Sequence, residues 1–191
     1  TPHIGQIFPE IVLINSHDGS TAYQLMSGIF RLVCTNGMIT GTQYGDYKIR
    51  HQGDITGQVI DASYKVLNTA EQVMDAAREW SGIHLTASEQ VALARAAHHL
   101  RFADAKGNVS TPITPEQLLR PRRKEDSRYD LWSTFNRIQE NTLKGGLSAV
   151  SYEGGRRRIV TSRKIGSITE DVRLNRALWM LGEDMKALKR G

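Results

Sequence analysis

Between Glu10 and Gly41 the chain reads EIVLINSHDGSTAYQLMSGIFRLVCTNGMITG, a set of apolar runs broken by His-Asp-Gly and Thr-Asn-Gly. Dipeptides of this kind accept positive φ and reverse a strand, so the N-terminal third is committed to antiparallel β structure. Asn36-Gly37 predicts a tight hairpin between Phe30–Cys34 and Met38–Thr40. The expected strands are Ile11–Asn15, Thr21–Cys34 with a bulge at Ser27-Gly28, Met38–Thr40 and Tyr47–His51, arranged as a meander. Four strands cannot leave an apolar face bare to water, so the remainder of the chain must supply cover.

That remainder reads as helix. From about Ile55 to Trp80, Val59, Ser63, Val66, Leu67, Ala70, Val73, Met74 and Ala77 form one stripe at helical spacing. Three further starts carry a hydroxyl followed three residues later by Glu or Gln, the pair that satisfies backbone donors reciprocally: Thr86 with Glu89, Thr114 with Gln117, and Ser167 with Glu170. The first predicts a helix to about Arg101. The second predicts a short one with Pro115 in its first turn, ended near Pro121, and the third carries Leu174, Leu178, Leu181, Met185 and Leu188. A fifth helix, from Ser127 to about Thr142, should bury Leu131, Phe135 and Ile138 and stop at Gly145-Gly146. Phe102–Ile113 reads as a loop with an Asp-Ala-Lys-Gly-Asn turn, and Gly154–Ile165 as a Gly- and Arg-rich connection. The expected fold class is α+β: a small antiparallel β-meander backed by a long helix, followed by a mainly helical C-terminal half. Residues 1–191 are read as a single α+β domain, with a sub-boundary near 112 as the alternative.

A chain of 191 residues with 39% hydrophobic residues can bury a core without staples. Cys34 is the only cysteine; this excludes an internal disulfide and suits a small buried hydrophobe in a reducing cytoplasm. No apolar run approaches the roughly 18 residues of a membrane span, so membrane partners have no support. Thr1 in place of Met suggests a piece of a longer product.

The net charge of +5 is unevenly placed: Arg120 to Lys164 holds twelve Lys and Arg against five Asp and Glu. Such a segment is the electrostatic footprint of a polyanion, nucleic acid before lipid. Its strongest part is Gly154-Gly155-Arg156-Arg157-Arg158 with Arg163 and Lys164, beside Tyr152 as a stacking platform. Arg120, Arg122, Arg123, Lys124 and Lys144 add cations, and Arg137, Arg173 and Arg176 interrupt otherwise apolar helices. The bland reading of the last three, with Asn136, Glu140 and Asn141, is a hydrogen-bond network that locks helices in register. The turn Asn15, Ser16, His17, Asp18, Gly19, Ser20 is an Asx-type turn or a polar contact loop. Its Ser, His and Asp are sequence neighbours and cannot converge as a triad. Trp80, Trp132 and Trp179 fall on apolar stripes and read as core. Asp18, Asp46 and Asp54 are the residues a metal-dependent nuclease would need to gather, but no spacing links them; no catalytic residue, metal ligand or cofactor is assigned.

Three ordered blocks, NSHDGSTAYQLMSGIFRLVCTNG, PRRKEDSRYDLWSTFNRIQENTLKGG and VRLNRALWMLGEDMKALK, resemble the domain-of-unknown-function family carried by bacterial plasmids and prophages, often labelled plasmid- or phage-like protein. The resemblance covers nearly the whole chain. It implies a bacterial mobile-element setting, a cytoplasmic product and an N-terminal extension before this point, and it implies no reaction. Together these readings lead to an expected non-enzymatic nucleic-acid-binding accessory, with single-stranded DNA as partner and annealing, in a homo-oligomer, as a refinement. The alternatives are a metal-dependent nuclease and a protein-interaction module that interferes with a host system.

Overall fold

The computed structural model describes residues 7–14, 23–31, 37–39, 46–49, 57–58 and 74–191, in two compact units, Thr1–Glu79 and Trp80–Gly191. Residues on both sides of 112 therefore lie in one unit. The architecture is α+β, with an antiparallel sheet toward the N-terminus and a mainly helical C-terminal part. Among the described residues, no helix is long and apolar enough to cross a membrane.

The first unit holds β1 (Ile7–Ile14), β2 (Tyr23–Arg31), β3 (Gly37–Ile39) and β4 (Asp46–Ile49). β1 begins earlier than Ile11 and includes Pro9, which is tolerated because, among the described residues, β1 pairs on one side only, with β2. The β1–β2 register runs unbroken from Ile7↔Arg31 to Ile14↔Gln24, so the bulge expected at Ser27-Gly28 is absent from this pair. On its other edge, nine-residue β2 spans two short partners. β3 takes positions 28–30 and β4 takes 23–26, so β4 returns to β2 instead of extending a meander beyond β3. Gly37 pairs with Phe30 as the first residue of β3, which corrects the expected tight turn centred on Asn36-Gly37. The Asn15–Ser20 turn, Cys34 and most of the Ile55–Trp80 stripe lie outside the described residues; 57–58 and 74–81 are helical.

The second unit begins in the helical stretch 74–81 (α1) and continues through α2 (Ala87–Phe102), α3 (Leu131–Lys144), the hairpin β5 (Ser148–Glu153) and β6 (Arg156–Thr161), and α4 (Ile168–Arg190). Two 3-10 turns, Pro115–Leu119 and Lys124–Ser127, lie between α2 and α3. The capping at Thr86 is fully reciprocal: the Glu89 N–H donates to Thr86 Oγ1 at 3.3 Å and the Thr86 N–H to Glu89 Oε2 at 2.7 Å. The Thr86 N–H and then the Lys189 ammonium, 3.0 Å away, hold the Glu89 carboxyl down at about 2. At Ser167 only half the box forms, because the Glu170 carboxylate turns to the Arg173 guanidinium at 2.7 and 2.8 Å. α3 starts later than the expected Ser127. Its N-cap is Asp130, whose carboxylate accepts the Ser133 N–H at 2.7 Å, while Lys124–Ser127 forms a separate turn.

α3 is the axis of this unit, in contact with α2, α4 and both 3-10 turns, and every residue from Leu131 to Leu143 is buried. Around it Trp80 and Trp179 stack at 4.5 Å between ring centroids, and Phe135 meets both edge-on at 5.1 and 5.9 Å. All three tryptophans are core, as their stripes predict. Gly182 lets α4 come this close: a Cβ there would overlap the six-membered ring of Trp80. Leu174, Leu178 and Met185 line the buried face of α4, whereas Leu188, expected on it, is exposed.

Candidate nucleic-acid interface

Gly154–Ile165 is not a plain connection. Gly154 and Gly155 both have positive φ, at +56° and +76°, the conformation of a two-residue turn that matches strand twist, and they join β5 and β6 into an antiparallel ribbon. Pairing runs from Ser148↔Thr161 through Val150↔Ile159 and Tyr152↔Arg157 to Glu153↔Arg156. Side chains alternate across such a ribbon. One face carries Ala149, Ser151 and Val160, all half-buried, with Arg156 and Arg158 toward the tip; Arg158 meets Glu153 in an exposed pair at 3.1 Å. The other face stands in solvent. It presents Val150 at 42%, Ile159 at 62% and Tyr152 at 72% exposure, with Arg157 directly across from Tyr152. Arg163 and Lys164, on the exit from β6, are also exposed.

The base of the ribbon is fixed by hydrogen bonds to the helical body. The Gly146 N–H donates to Ser162 O and the Ser162 N–H to Leu147 O, each at 2.8 Å, and the Ile165 N–H donates to Leu143 O at 2.9 Å. Gln117 Nε2 donates to Ser148 O at 2.9 Å, and Arg101 bridges Thr142 O and Arg163 O at 3.3 and 3.1 Å. At Gly145, with φ +62°, a Cβ would come within 2.6 Å of the Arg163 carbonyl, so only glycine lets the returning chain cross the end of α3. A two-stranded ribbon alone is marginal in water; this one is held from its root.

Most of the remaining candidate cations are held by hydrogen bonds or ion pairs within the helical body. Arg123 grips Glu140 through two nitrogens at 2.6 and 2.9 Å and reaches Asp126 at 3.0 Å, and Lys144 meets the same Glu140 at 2.9 Å. Burial pushes the Glu140 carboxyl up, but the hydrogen bonds and charges of Arg123 and Lys144 outweigh it and hold the group at about 2. Arg122 donates to Asn141 Oδ1 at 2.8 Å and to Gly145 O, while the Asn141 amide donates to Leu118 O and Arg120 O, both at 2.9 Å. Arg137 is buried and donates to Gln90 Oε1 and Thr134 Oγ1 at 3.0 Å and to Arg128 O at 3.3 Å; burial lowers its pKa against the opposing charges of Asp126 and Asp130. Gln139 donates to Asn175 at 2.9 Å, tying α3 to α4. Arg173 is committed to Glu170 and to Leu100 O, Arg176 is half-buried on α4, and Lys124 is exposed on its 3-10 turn.

The structure thus gathers Tyr152, Arg156, Arg157 and Arg158 on one ribbon, with Arg163 and Lys164 at its exit, and places Arg122, Arg123, Arg137, Lys144 and Arg173 in the protein's own polar network. Residues the sequence reading missed are Val150, Ile159, Ser148 and Thr161, whose period-two spacing around Gly-Gly is the signal that marks a hairpin. Asp46 opens β4, and Asp18 and Asp54 lie outside the described residues; among the described residues no group of three or more His, Cys, Asp or Glu is placed to hold a metal ion.

An α+β chain whose helical body projects a cationic, partly apolar hairpin is the class that fold and site define. Residues 2–179 match the family described as Domain of unknown function (DUF932), and the chain belongs to that family. It is 43% identical over 181 residues to the UPF0380 protein YfjQ of Escherichia coli (strain K12), covering 95% of this chain and 64% of that protein. It is likewise 43% identical over 179 residues to the UPF0380 protein YafZ of the same strain, covering 94% and 63%. The chain therefore spans just under two thirds of the length of these relatives. No solved structure matches it.

Proposed function

We propose that the β5–β6 ribbon binds nucleic acid, with unpaired bases against its outer face and phosphates at its arginines. In the bacterial mobile-element setting implied by the sequence resemblance, the protein serves as a non-enzymatic accessory for single-stranded DNA. The observation that carries this reading is the composition of the outer face, where Tyr152, Val150 and Ile159 stand exposed with Arg157 across from the tyrosine. A duplex hides its base faces and offers phosphate outward, so an apolar ribbon face gains little from it. A single strand offers both, and an exposed aromatic on a cationic element stacks any base without sequence preference. Arg156 and Arg157 point to opposite faces, which lets a strand be gripped on either side of the tip.

Fluorescence anisotropy with labelled single- and double-stranded oligonucleotides over a salt series tests this. The single strand is expected to bind more tightly, with affinity falling as salt rises by roughly 0.7 log units per log unit for each phosphate contacted. Tyr152→Ala is expected to weaken single-strand binding by about 1–3 kcal/mol while leaving the salt slope unchanged, since it removes stacking and no charge. Absence of binding to either oligonucleotide at low salt, or a Tyr152→Ala variant that binds as wild type, would reject the reading.

A further inference from the structure

At the opposite end of α3 from the ribbon, a cleft of about 320 Å³ is lined by Ser81, Gly82, His84, Arg128, Tyr129 and Asp130. That volume is at the lower end of the range for small-ligand sites. Its walls are two short segments strapped together. The Leu85 N–H donates to Tyr129 O and the Leu131 N–H to Ile83 O, each at 2.8 Å, on either side of the His84↔Asp130 bridge. From beneath, buried Arg137 donates to Arg128 O. The backbone that carries the cleft's side chains is therefore set before any ligand arrives.

What these side chains offer is specific. Tyr129 is 61% exposed, with its ring 6.4 Å from that of His84 at 65°, so a third aromatic ring can lie on the tyrosine while presenting its edge to the imidazole. Arg128 is tethered through Nε to Asp130 Oδ2 at 3.3 Å, yet its side chain is 75% exposed, which turns the end of the guanidinium outward. The Asp130 carboxylate is itself buried and engaged by the Ser133 N–H, the Ser133 hydroxyl and Arg128, so its repulsion of an anion is offset. An aromatic platform next to an oriented guanidinium matches a flat ring that carries a phosphate.

We propose that this cleft is a nucleoside 5′-phosphate site, with the base on Tyr129 beside His84 and the phosphate at Arg128. The ligand is either a free mononucleotide or the 5′-phosphorylated end of a strand. This site is separate from the ribbon and does not depend on it.

Calorimetric titration of the full chain with thymidine 5′-monophosphate, with thymidine, and with short oligonucleotides bearing or lacking a 5′-phosphate tests the assignment. The monophosphate is expected to bind and thymidine to bind more weakly. Tyr129→Ala is expected to lower monophosphate affinity about tenfold through lost stacking. Arg128→Gln is expected to abolish the preference for the monophosphate over thymidine. Competition by the 5′-phosphorylated oligonucleotide alone assigns the site to strand ends; competition by neither oligonucleotide assigns it to free nucleotide. No monophosphate binding at millimolar concentration, or binding that Tyr129→Ala and Arg128→Gln both leave intact in folded protein, overturns the proposal. Loss of oligonucleotide binding at the ribbon with monophosphate binding retained counts against the ribbon alone.

Discussion

Trp179→Ala is expected to remove a large share of the stability of the unit formed by residues 80–191. The indole is fully buried, stacked on Trp80 at 4.5 Å and met edge-on by Phe135, so truncation deletes one member of the aromatic cluster and leaves a cavity walled by the other two rings. Large aromatic truncations in cores lose about 3–5 kcal/mol. Small folded units have only about 5–15 kcal/mol in total, so the variant should unfold at far lower urea than wild type. α4 cannot slide inward to fill the void, because Gly182 already touches the Trp80 ring. Urea unfolding followed by tryptophan fluorescence measures this; a midpoint within error of wild type would mean that the cluster is not the core of the unit.

The second large effect concerns Glu140, the one carboxylate that Arg123 and Lys144 share on the buried face of α3. Glu140→Gln keeps the shape and removes the charge, leaving two cations around a neutral amide; breaking a buried pair in this way destabilises by about 3–5 kcal/mol. The effect must depend on pH. In the folded protein the carboxyl is held at about 2 against an ordinary 4.5, so its contribution is fully present above about 4.5 and is lost as pH falls through about 2. The gap in stability between wild type and Glu140→Gln should therefore be widest at pH 5 to 7 and should shrink toward zero near pH 2. A gap of constant size across that range would show that the charge is not what stabilises the site.

The features legible in the sequence were those set by local chemistry. Thr86 and Glu89 mark a helix start because their reciprocal bonds span one turn, and the Leu131–Phe135–Ile138 spacing puts those side chains on the inner face of α3 whatever surrounds it. The start of α3 was misplaced because Ser127 and Asp130 are both capping types. The choice between them is made at a distance, by the strap to Ile83 and by the Arg123–Asp126 pair that gives Lys124–Ser127 a turn of its own. The polar network of α3 is legible only in outline: Asn136, Arg137, Glu140 and Asn141 read as a hydrogen-bond set that locks helices in register, but the partners Gln90, Asn175 and Arg122 are 19 to 47 residues away and no local spacing names them. The ribbon was hidden by composition: three successive arginines read as a charge run, though Val150, Tyr152, Ile159 and Thr161 alternate on either side of Gly154-Gly155. Cations alike in sequence thus differ in role, because a guanidinium near a buried carboxylate is drawn inward and one on an open hairpin is not.

One paired comparison tests this division of the cations. Oligonucleotide affinity and urea stability are measured together for Arg156→Ala with Arg157→Ala and for Arg123→Ala. The ribbon double variant should lose about tenfold or more in affinity, with its salt slope reduced by roughly 1.4 for two lost phosphate contacts, at unchanged stability. The Arg123 variant should lose stability yet bind as wild type under conditions where it is folded. Equal binding by the ribbon variant and wild type, or equal loss of binding by a folded Arg123 variant, would contradict the division of the cations into an inward network and an outward ribbon.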